Sequence, residues 1–255
     1  MRSGAPGIAL QPEQEARAGE GQKGMIPVGR PFLDYVLSGL ADAGYTRVCL
    51  VIGSGHGAVR EYYTGAGRPA RVDLEFAVQQ RPLGTADAVL AAEAFASGGR
   101  FLAVNADNLY PRSALEALRR LDGPGLAGFR RSGLLRGGLI AADRILAFAL
   151  IEADPDGFMS RIVEKPDPAA AASFGPDPLV SMNAWVLPPS IFASARAIAS
   201  SVRGELELQD AVRHSINERG ERYRVLPFDE PVVDLSSRSD IPVVTRLLQG
   251  REVCP

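Results

Sequence analysis

The amino-acid sequence predicts an α/β fold: one domain in which a mixed, mostly parallel β-sheet is flanked by helices. Two observations support this prediction. Short apolar runs typical of buried strands alternate with amphipathic segments typical of helices, and such alternation is characteristic of parallel sheets with crossover helices. In addition, a chain of 255 residues is long enough to bury a single sizeable core.

Strands and helices alternate clearly in the first half of the chain. Apolar or alternating runs predict strands at residues 47–53, 72–78 and 101–105. Apolar residues at helical spacing predict helices at residues 30–43, 57–63, 85–95 and 113–121. Residues 1–22 contain no strand-like run and are predicted to be an irregular N-terminal segment, in which Pro12 could open a short helix at residues 12–17.

The second half of the chain is richer in strands. Strands are predicted at residues 137–141, 145–152, 158–164, 179–187 and 223–228. Helices are predicted at residues 191–200, 207–218 and 241–248. The Pro/Ala/Gly-rich residues 166–178 indicate a loop or short helix rather than a linker between domains, so residues 23–255 are predicted to form one domain.

Composition and charge exclude several classes of protein. A formal net charge of −2 gives no basic footprint for nucleic acid or for an anionic membrane. No apolar run approaches about 18 residues, and no apolar segment typical of a signal peptide is visible near the start. Cys49, Cys254 and two histidines make neither a disulfide framework nor a His-rich metal site. We therefore expect a cytoplasmic protein that binds neither membranes nor nucleic acid.

Lysine is nearly absent from this chain. Of the 28 basic residues only Lys23 and Lys165 are lysines, and they lie in the short segments Q-K-G-M-I-P-V and V-E-K-P. A lysine ammonium is a compact, flexible point charge that suits a phosphate, and arginine does not replace it there. Both lysines are candidate phosphate ligands; the alternative is chance survival in an arginine-rich composition.

Two carboxylates are predicted to lie at the ends of strands. Asp107 follows the run F-L-A-V-N-A, and Asp234 ends the run V-V-D. Ligands of open α/β sheets bind outside the carboxyl ends of the strands, and Mg²⁺ is often held by one or two carboxylates together with phosphate oxygens. Asp107 and Asp234 are therefore candidate ligands for Mg²⁺. The alternatives are an ordinary turn at Asp107 and a helix cap or surface carboxylate at Asp234.

The joint between a strand and a helix at residues 79–88 is a candidate nucleobase site. The amide of Gln79 could read a base edge, Gly84 permits close approach of a flat base to the backbone, and Thr85 could cap the following helix. The alternative is an ordinary strand–loop–helix joint. The nearby turn G-S-G-H-G fits neither a dinucleotide fingerprint nor a P-loop, so we interpret His56 as a surface residue of that turn.

Taken in order, six segments resemble the sugar-1-phosphate nucleotidyltransferase family, which includes glucose-1-phosphate thymidylyl- and uridylyltransferases. They are K-G-M-I-P-V-G-R-P from Lys23, Q-x-x-P-x-G from Gln79, N-A-D-N around Asp107, E-K-P at 164–166, G-E-L-E-L-Q-D at 204–210 and V-D at 233–234. The resemblance implies a Rossmann-like nucleotidyltransferase domain. Its nucleotide half would span about 23–125 and its sugar-phosphate half about 126–255.

The resemblance also implies a reaction and roles for the candidate residues. An NTP and a sugar 1-phosphate would give an NDP-sugar and pyrophosphate, with the sugar phosphate oxygen attacking the α-phosphorus directly. By this resemblance Lys23 would bind the nucleotide phosphates and Lys165 the sugar phosphate. Sugar hydroxyls would be bound by Glu164 and Asn183, the base by Gln79 and Gly84, and Mg²⁺ by Asp107 and Asp234. Family members often assemble, so a homo-oligomer is a further expectation.

The sequence departs from the family pattern at its start. The glycine-rich loop G-x-G-T-R, which in the family follows a central first strand and wraps the triphosphate, is not found. Three explanations stay open: the complete protein has an upstream segment, a divergent protein has lost turnover, or residues 1–22 form a replacement loop. Without the first strand, we expect an unfilled slot in the core.

A second departure lies at residues 181–185, S-M-N-A-W, where the family commonly has N-A-G before an aromatic strand. Aligning on Asn183 places Trp185 at the glycine position. Aligning on Trp185 instead places Ser181 at the asparagine and Asn183 at the glycine position, and the sequence does not decide between these registers.

Two other functions stay open at this point. One is a non-catalytic nucleotide- or NDP-sugar-binding regulatory protein that keeps the pocket without the triphosphate loop. The other is a molybdenum-cofactor-type or cytidylyl transferase of the same fold, against which the E-K-P segment argues.

Overall fold

The computed structural model describes residues 10–20, 22–136, 139–201 and 204–255. The described helices are α1 (Pro12–Gly19), α2 (Phe32–Asp42), α3 (Gly57–Thr64), α4 (Thr85–Ala91), α5 (Glu93–Ala96), α6 (Arg112–Arg119), α7 (Arg131–Leu135), α8 (Pro168–Ala172), α9 (Ile191–Ala197), α10 (Leu208–Arg219) and α11 (Asp240–Leu248). The described strands are β1 (Arg47–Gly53), β2 (Asp73–Gln79), β3 (Phe101–Ala103), β4 (Asn108–Leu109), β5 (Gly125–Arg130), β6 (Ala149–Ala153), β7 (Met159–Val163), β8 (Leu179–Leu187), β9 (Arg224–Phe228) and β10 (Val233–Asp234). In these ranges no helix has the length and apolar character needed to cross a membrane.

The larger sheet is built around β8. Its strand order is β7-β6-β8-β5-β9, and β3 also pairs with β8. Seven of the nine residues of β8 are buried, as expected for a strand covered on both faces. Trp185 of β8 is fully buried, and its ring meets Tyr223 edge to face with the centroids 6.1 Å apart. This part of the molecule forms a closed, well-packed core.

The strands β1 and β2 form a separate parallel ribbon, with Arg47 opposite Asp73 and Gly53 opposite Gln79. A groove of about 610 Å³ separates this ribbon from β3, and α2 and α4 add apolar side chains to its walls. Within the described part of the chain, β1 pairs only with β2 and β3 only with β8. The groove therefore corresponds to the unfilled slot expected from the sequence.

Across this groove β1 and β3 run in the same direction. Residues 50–52 at the end of β1 and residues 105–107 after β3 line one cavity together with Lys23. At the opposite end, the guanidinium of Arg47 lies over the ring of Phe95, 4.9 Å from its centroid. A strand inserted between β1 and β3, parallel to both, would therefore end beside Lys23.

The mixed α/β class is confirmed, but the predicted parallel majority of the sheet is not found. Of the seven strand pairings among the described residues, only β1 with β2 and β5 with β9 are parallel. The reason is that β8 runs antiparallel to β3, β5 and β6. In addition, no described strand fills the groove, where two more parallel pairings would form.

Several predicted elements need correction. The strand predicted at 145–152 begins only at Ala149, because residues 142–147 form a 3-10 helix from which Arg144 reaches two buried carboxylates. The predicted strand 137–141 lies partly outside the described residues, and its described part, residues 139–141, forms no strand. The N-terminal segment contains α1, which covers residues 12–17, where Pro12 was expected to open a short helix, and extends it to Gly19.

The buried strand β5 was not predicted, because its two glycines weaken the apolar pattern. The structure shows why one of them is needed. A Cβ on Gly125 would lie 2.5 Å from the carbonyl oxygen of Arg224, so only glycine permits the close pairing of β5 with β9 at this point.

Candidate active site

Lys23 and Asp107, predicted from separate motifs, meet in a cavity of about 420 Å³. Lys23 opens a short 3-10 helix, Lys23–Met25, and its Nζ donates to Oδ2 of Asp107 at 2.6 Å. Gly24 packs against both α2 and the segment before Asp107: a Cβ there would lie 3.3 Å from Cβ of Leu33 and 3.5 Å from the carbonyl oxygen of Ala106. The lysine and aspartate side chains stay 30% and 18% exposed, so the pair is accessible from the cavity.

Asp234 lies beside this pair because β10 pairs with β4. The antiparallel register places Asp234 opposite Asn108, the residue that follows Asp107. The Asp234 carboxylate is only 2% exposed. Its Oδ1 accepts hydrogen bonds from Asn108 Nδ2 at 2.9 Å and from Ser236 Oγ at 2.7 Å, and its Oδ2 is paired with the guanidinium of Arg144.

The two aspartates share one electrostatic environment. Burial raises the pKa of Asp234 above its usual value; the hydrogen bond from Ser236 opposes that shift, and the Asp107 charge adds to it. Burial also raises the pKa of Tyr110 well above its usual value, and both aspartates add to that shift. A cation placed near Asp107 and Asp234 would therefore stabilise both charged carboxylates.

These residues fit a divalent cation unequally. Oxygen ligands suit Mg²⁺, and the Asp107 carboxylate lines the cavity. Asp234 suits the same ion only when Arg144 withdraws, because its oxygens already serve three donors. Within the described ranges no group of three or more His, Cys, Asp or Glu side chains could hold a metal, so an ion at Asp107 would also need oxygens from substrate or water.

The side chain of Gln79 forms hydrogen bonds within the loop and helix that follow it. Its Nε2 donates to the carbonyl oxygen of Gly84 at 3.0 Å and to Oδ2 of Asp87 at 2.8 Å. Both amide hydrogens are thus used, and a base could be read only through the Oε1 acceptor. Gly84 has a φ of 112°, and a Cβ there would lie 2.6 Å from the carbonyl oxygen of Leu206. Both residues therefore shape the loop, beyond the base-binding role predicted for them.

This loop is fastened to the segment that opens α10. Leu206 N donates to the Leu83 carbonyl at 2.6 Å, and Ala86 N donates to the Leu206 carbonyl at 2.8 Å. Thr85 Oγ1 accepts from Leu208 N at 2.9 Å. Thr85 therefore caps the first turn of α10 and not, as predicted, its own helix α4. Two motifs separated by more than a hundred residues in the sequence form one unit.

Asn183 interrupts the regular geometry of β8. Its φ is 58°, and the pairing of β5 with β8 shifts register nearby. The side chain lines the large groove, and its Oδ1 accepts from Gln209 Nε2 at 3.1 Å. Because this left-handed backbone favours glycine, the structure supports the register that places Asn183 at the family's glycine position and Trp185 at the strand aromatic.

Glu164 and Lys165 follow β7, which β6 separates from β8. Lys165 Nζ lies 3.7 Å from Glu164 Oε1, and the lysine side chain is 42% exposed. Lys165 also has a φ of 44°. Among the described non-glycine residues only Ser97, Lys165 and Asn183 have positive φ. Such backbone strain costs about 1–3 kcal/mol and clusters at functional sites, and two of these three residues are predicted site residues.

Sequence reasoning missed three polar residues of this region. His56, interpreted as a surface residue, lines the cavity that holds Lys23. Arg144 lay between the strands predicted at residues 137–141 and 145–152, and it was one arginine among many. Gln209 is buried beside Asn183, and its Oε1 has no hydrogen-bond partner among the described residues. Only His56 carried a local signal, since it follows a predicted strand in a glycine-rich turn.

The fold and the order of its motifs define a nucleotidyl transferase. Residues 20–230 match the model of the nucleotidyl transferase family, and the chain belongs to that family. It is 26% identical over 214 residues to the low-salt glycan biosynthesis nucleotidyltransferase Agl11 of Haloferax volcanii, covering 84% of this chain and 55% of that protein. It is 30% identical over 224 residues to a glucose-1-phosphate thymidylyltransferase of Streptomyces antibioticus, covering 84% of this chain and 56% of that protein.

The chain thus spans about half the length of these curated relatives. Among solved structures, a UDP-glucose pyrophosphorylase complexed with UDP-glucose matches with a TM-score of 0.71 over 90% of this chain and 91% of that one, at 18% identity. At that identity the likeness shows the fold alone. The family resemblance read from the sequence is confirmed.

Proposed function

We propose that the protein joins an NTP and a sugar 1-phosphate to give an NDP-sugar and pyrophosphate in the cytoplasm. The observation that carries this proposal is the meeting of Lys23 and Asp107, 84 positions apart, in one cavity at the strand ends. Ligands of open α/β sheets bind at such strand ends. Family membership and the relatives' sugar-phosphate chemistry support the same reaction.

In this proposal the chain's own residues act by positioning and by charge. Lys23 leaves Asp107 for the nucleotide phosphates, and Lys165 binds the sugar 1-phosphate while Glu164 and Asn183 bind sugar hydroxyls. Their task is to hold the attacking phosphate oxygen near the α-phosphorus, which lowers the entropic part of the barrier. Gln79 and Gly84 shape the base loop. Mg²⁺ at Asp107, with Asp234 as its second protein ligand, would neutralise phosphate charge.

The test measures binding and turnover separately. Calorimetry with UDP-glucose and dTDP-glucose on the 255-residue chain should show binding that Asp107→Asn and Lys23→Ala both weaken. Release of pyrophosphate from an NTP and glucose 1-phosphate is then measured with the family's first strand and G-x-G-T-R loop supplied. Absence of both binding and turnover would contradict the proposal. Size-exclusion chromatography tests the expected homo-oligomer.

One alternative function keeps support from the structure. The open groove beside β1 and β3 favours a non-catalytic nucleotide- or NDP-sugar-binding protein, because no described main-chain loop covers the phosphates there. Binding of an NDP-sugar without pyrophosphate release, even with the loop supplied, would establish that alternative.

A further inference from the structure

Arg144 connects two buried carboxylates at the edge of the candidate active site. Its NH1 donates to Oδ1 of Asp240 at 2.6 Å, and its NH2 pairs with Oδ2 of Asp234. The side chains of Arg144, Asp234 and Asp240 are 17%, 2% and 9% exposed. A guanidinium always carries its charge, so this arginine neutralises both carboxylates in a place that solvent barely reaches.

The two carboxylates depend on Arg144 to different degrees. Asp240 Oδ2 also accepts from Ser236 N at 3.0 Å and from Ser237 N at 2.7 Å, so this carboxylate stays anchored at the start of α11. Asp234 Oδ1 is held by two neutral donors, and the Asp107 charge lies nearby. Loss of Arg144 would therefore leave the Asp234 and Asp107 carboxylates near each other, with no guanidinium to neutralise Asp234.

We propose that Arg144 is an internal cation that competes with the divalent metal for Asp234. A metal can use Asp234 only when NH2 of Arg144 leaves Oδ2, and the bond from NH1 to Asp240 gives the guanidinium a place to remain. Arg144 thereby sets the metal affinity of the Asp107–Asp234 pair, and its ion pair with Asp240 keeps the guanidinium bound to the protein when the metal takes Asp234. The proposal rests on the proposed function only in taking these two aspartates as the metal pair.

The test measures the affinity of the full chain for Mn²⁺ alone, with the free ion quantified by electron paramagnetic resonance. Arg144→Gln should raise Mn²⁺ affinity about tenfold, because it removes a competing cation worth about one charge-assisted hydrogen bond. In the double variant Arg144→Gln/Asp234→Asn that gain should disappear. Unchanged or weaker Mn²⁺ binding by folded Arg144→Gln, or a gain that survives Asp234→Asn, would overturn the proposal.

A second variant keeps the test decisive where Arg144→Gln fails to fold. Asp240→Asn retains an acceptor for the backbone donors but removes the second carboxylate that attracts Arg144. Arg144 should then bind Asp234 more tightly, and Mn²⁺ affinity should fall several-fold. Unchanged or tighter Mn²⁺ binding by folded Asp240→Asn counts against the proposal. NDP-sugar binding is measured on the wild-type chain alongside these variants, and its absence there would count against the proposed function rather than against the role of Arg144.

Discussion

The sheet around β8 and the ribbon of β1 and β2 are packed very differently, although β1 is as rich in apolar residues as β5 and β8. In β5 and β8, twelve of fifteen residues are buried. In β1 and β2 only two of fourteen are, Leu50 and Ile52. The difference arises because β5 and β8 have partners on both edges, whereas β1 faces the groove. The candidate phosphate site lies at the end of this less packed region.

The largest expected effect comes from filling the groove. The 255-residue chain should show little or no NDP-sugar synthesis, because no described main-chain loop is in place for the triphosphate and ordering one on binding costs roughly 1–2 kcal/mol per residue fixed. Fusing a family member's first strand and G-x-G-T-R loop ahead of the chain should raise pyrophosphate release by orders of magnitude, because main-chain N–H groups would then be preformed at Lys23. A fusion with the strand scrambled is the control. Robust synthesis by the unfused chain would contradict this prediction.

Truncating matched side chains in the two regions should give the next largest difference. Val180 of β8 is fully buried, and Val180→Ala should lower the free energy of unfolding by about 2–3 kcal/mol through lost burial and a new cavity. Val48 of β1 already borders the groove, so Val48→Ala should cost less than about 1 kcal/mol. Urea denaturation measures both. Equal losses would show that the ribbon is packed as tightly as the main sheet.

Features that depend on local sequence could be predicted, and features that depend on contacts between distant residues could not. The bounds of β8 were predicted correctly because the apolar residues of 179–187, broken only by Ser181 and Asn183, have few other interpretations. β5 was missed because Gly125 serves a contact with Arg224 that is distant in sequence. The candidate residues Lys23 and Asp107 could be selected from local motifs. The ion pair of Arg144 with Asp234 could not, since only the fold brings residues 90 positions apart together.

Substitution of Lys165, which follows β7 in the well-packed sheet, should have a smaller effect on substrate binding. Lys165→Arg keeps the charge but replaces a point charge by a larger planar fork, so affinity for glucose 1-phosphate should fall about tenfold. The matched control is Arg161→Lys on β7, an exposed residue paired with Glu152, which should leave the affinity unchanged. Isothermal calorimetry measures both variants. Wild-type affinity in Lys165→Arg would remove Lys165 from the sugar-phosphate site.

The smallest expected effect concerns Cys49, a thiol of β1 that lines the groove. Burial raises the pKa of Cys49, and the nearby Glu75 charge adds to that shift while a backbone hydrogen bond from Ala77 opposes it. Only the thiolate reacts with iodoacetamide, so alkylation of Cys49 should keep accelerating at a pH above the usual range for a thiol. Supplying the first strand should slow it further, by several-fold, because the strand would cover the thiol. The exposed Cys254 is the internal control, and its rate should not change on fusion. Equal slowing of both thiols would indicate a general change in the protein, and no slowing of Cys49 would mean that the added strand does not enter the groove between β1 and β3.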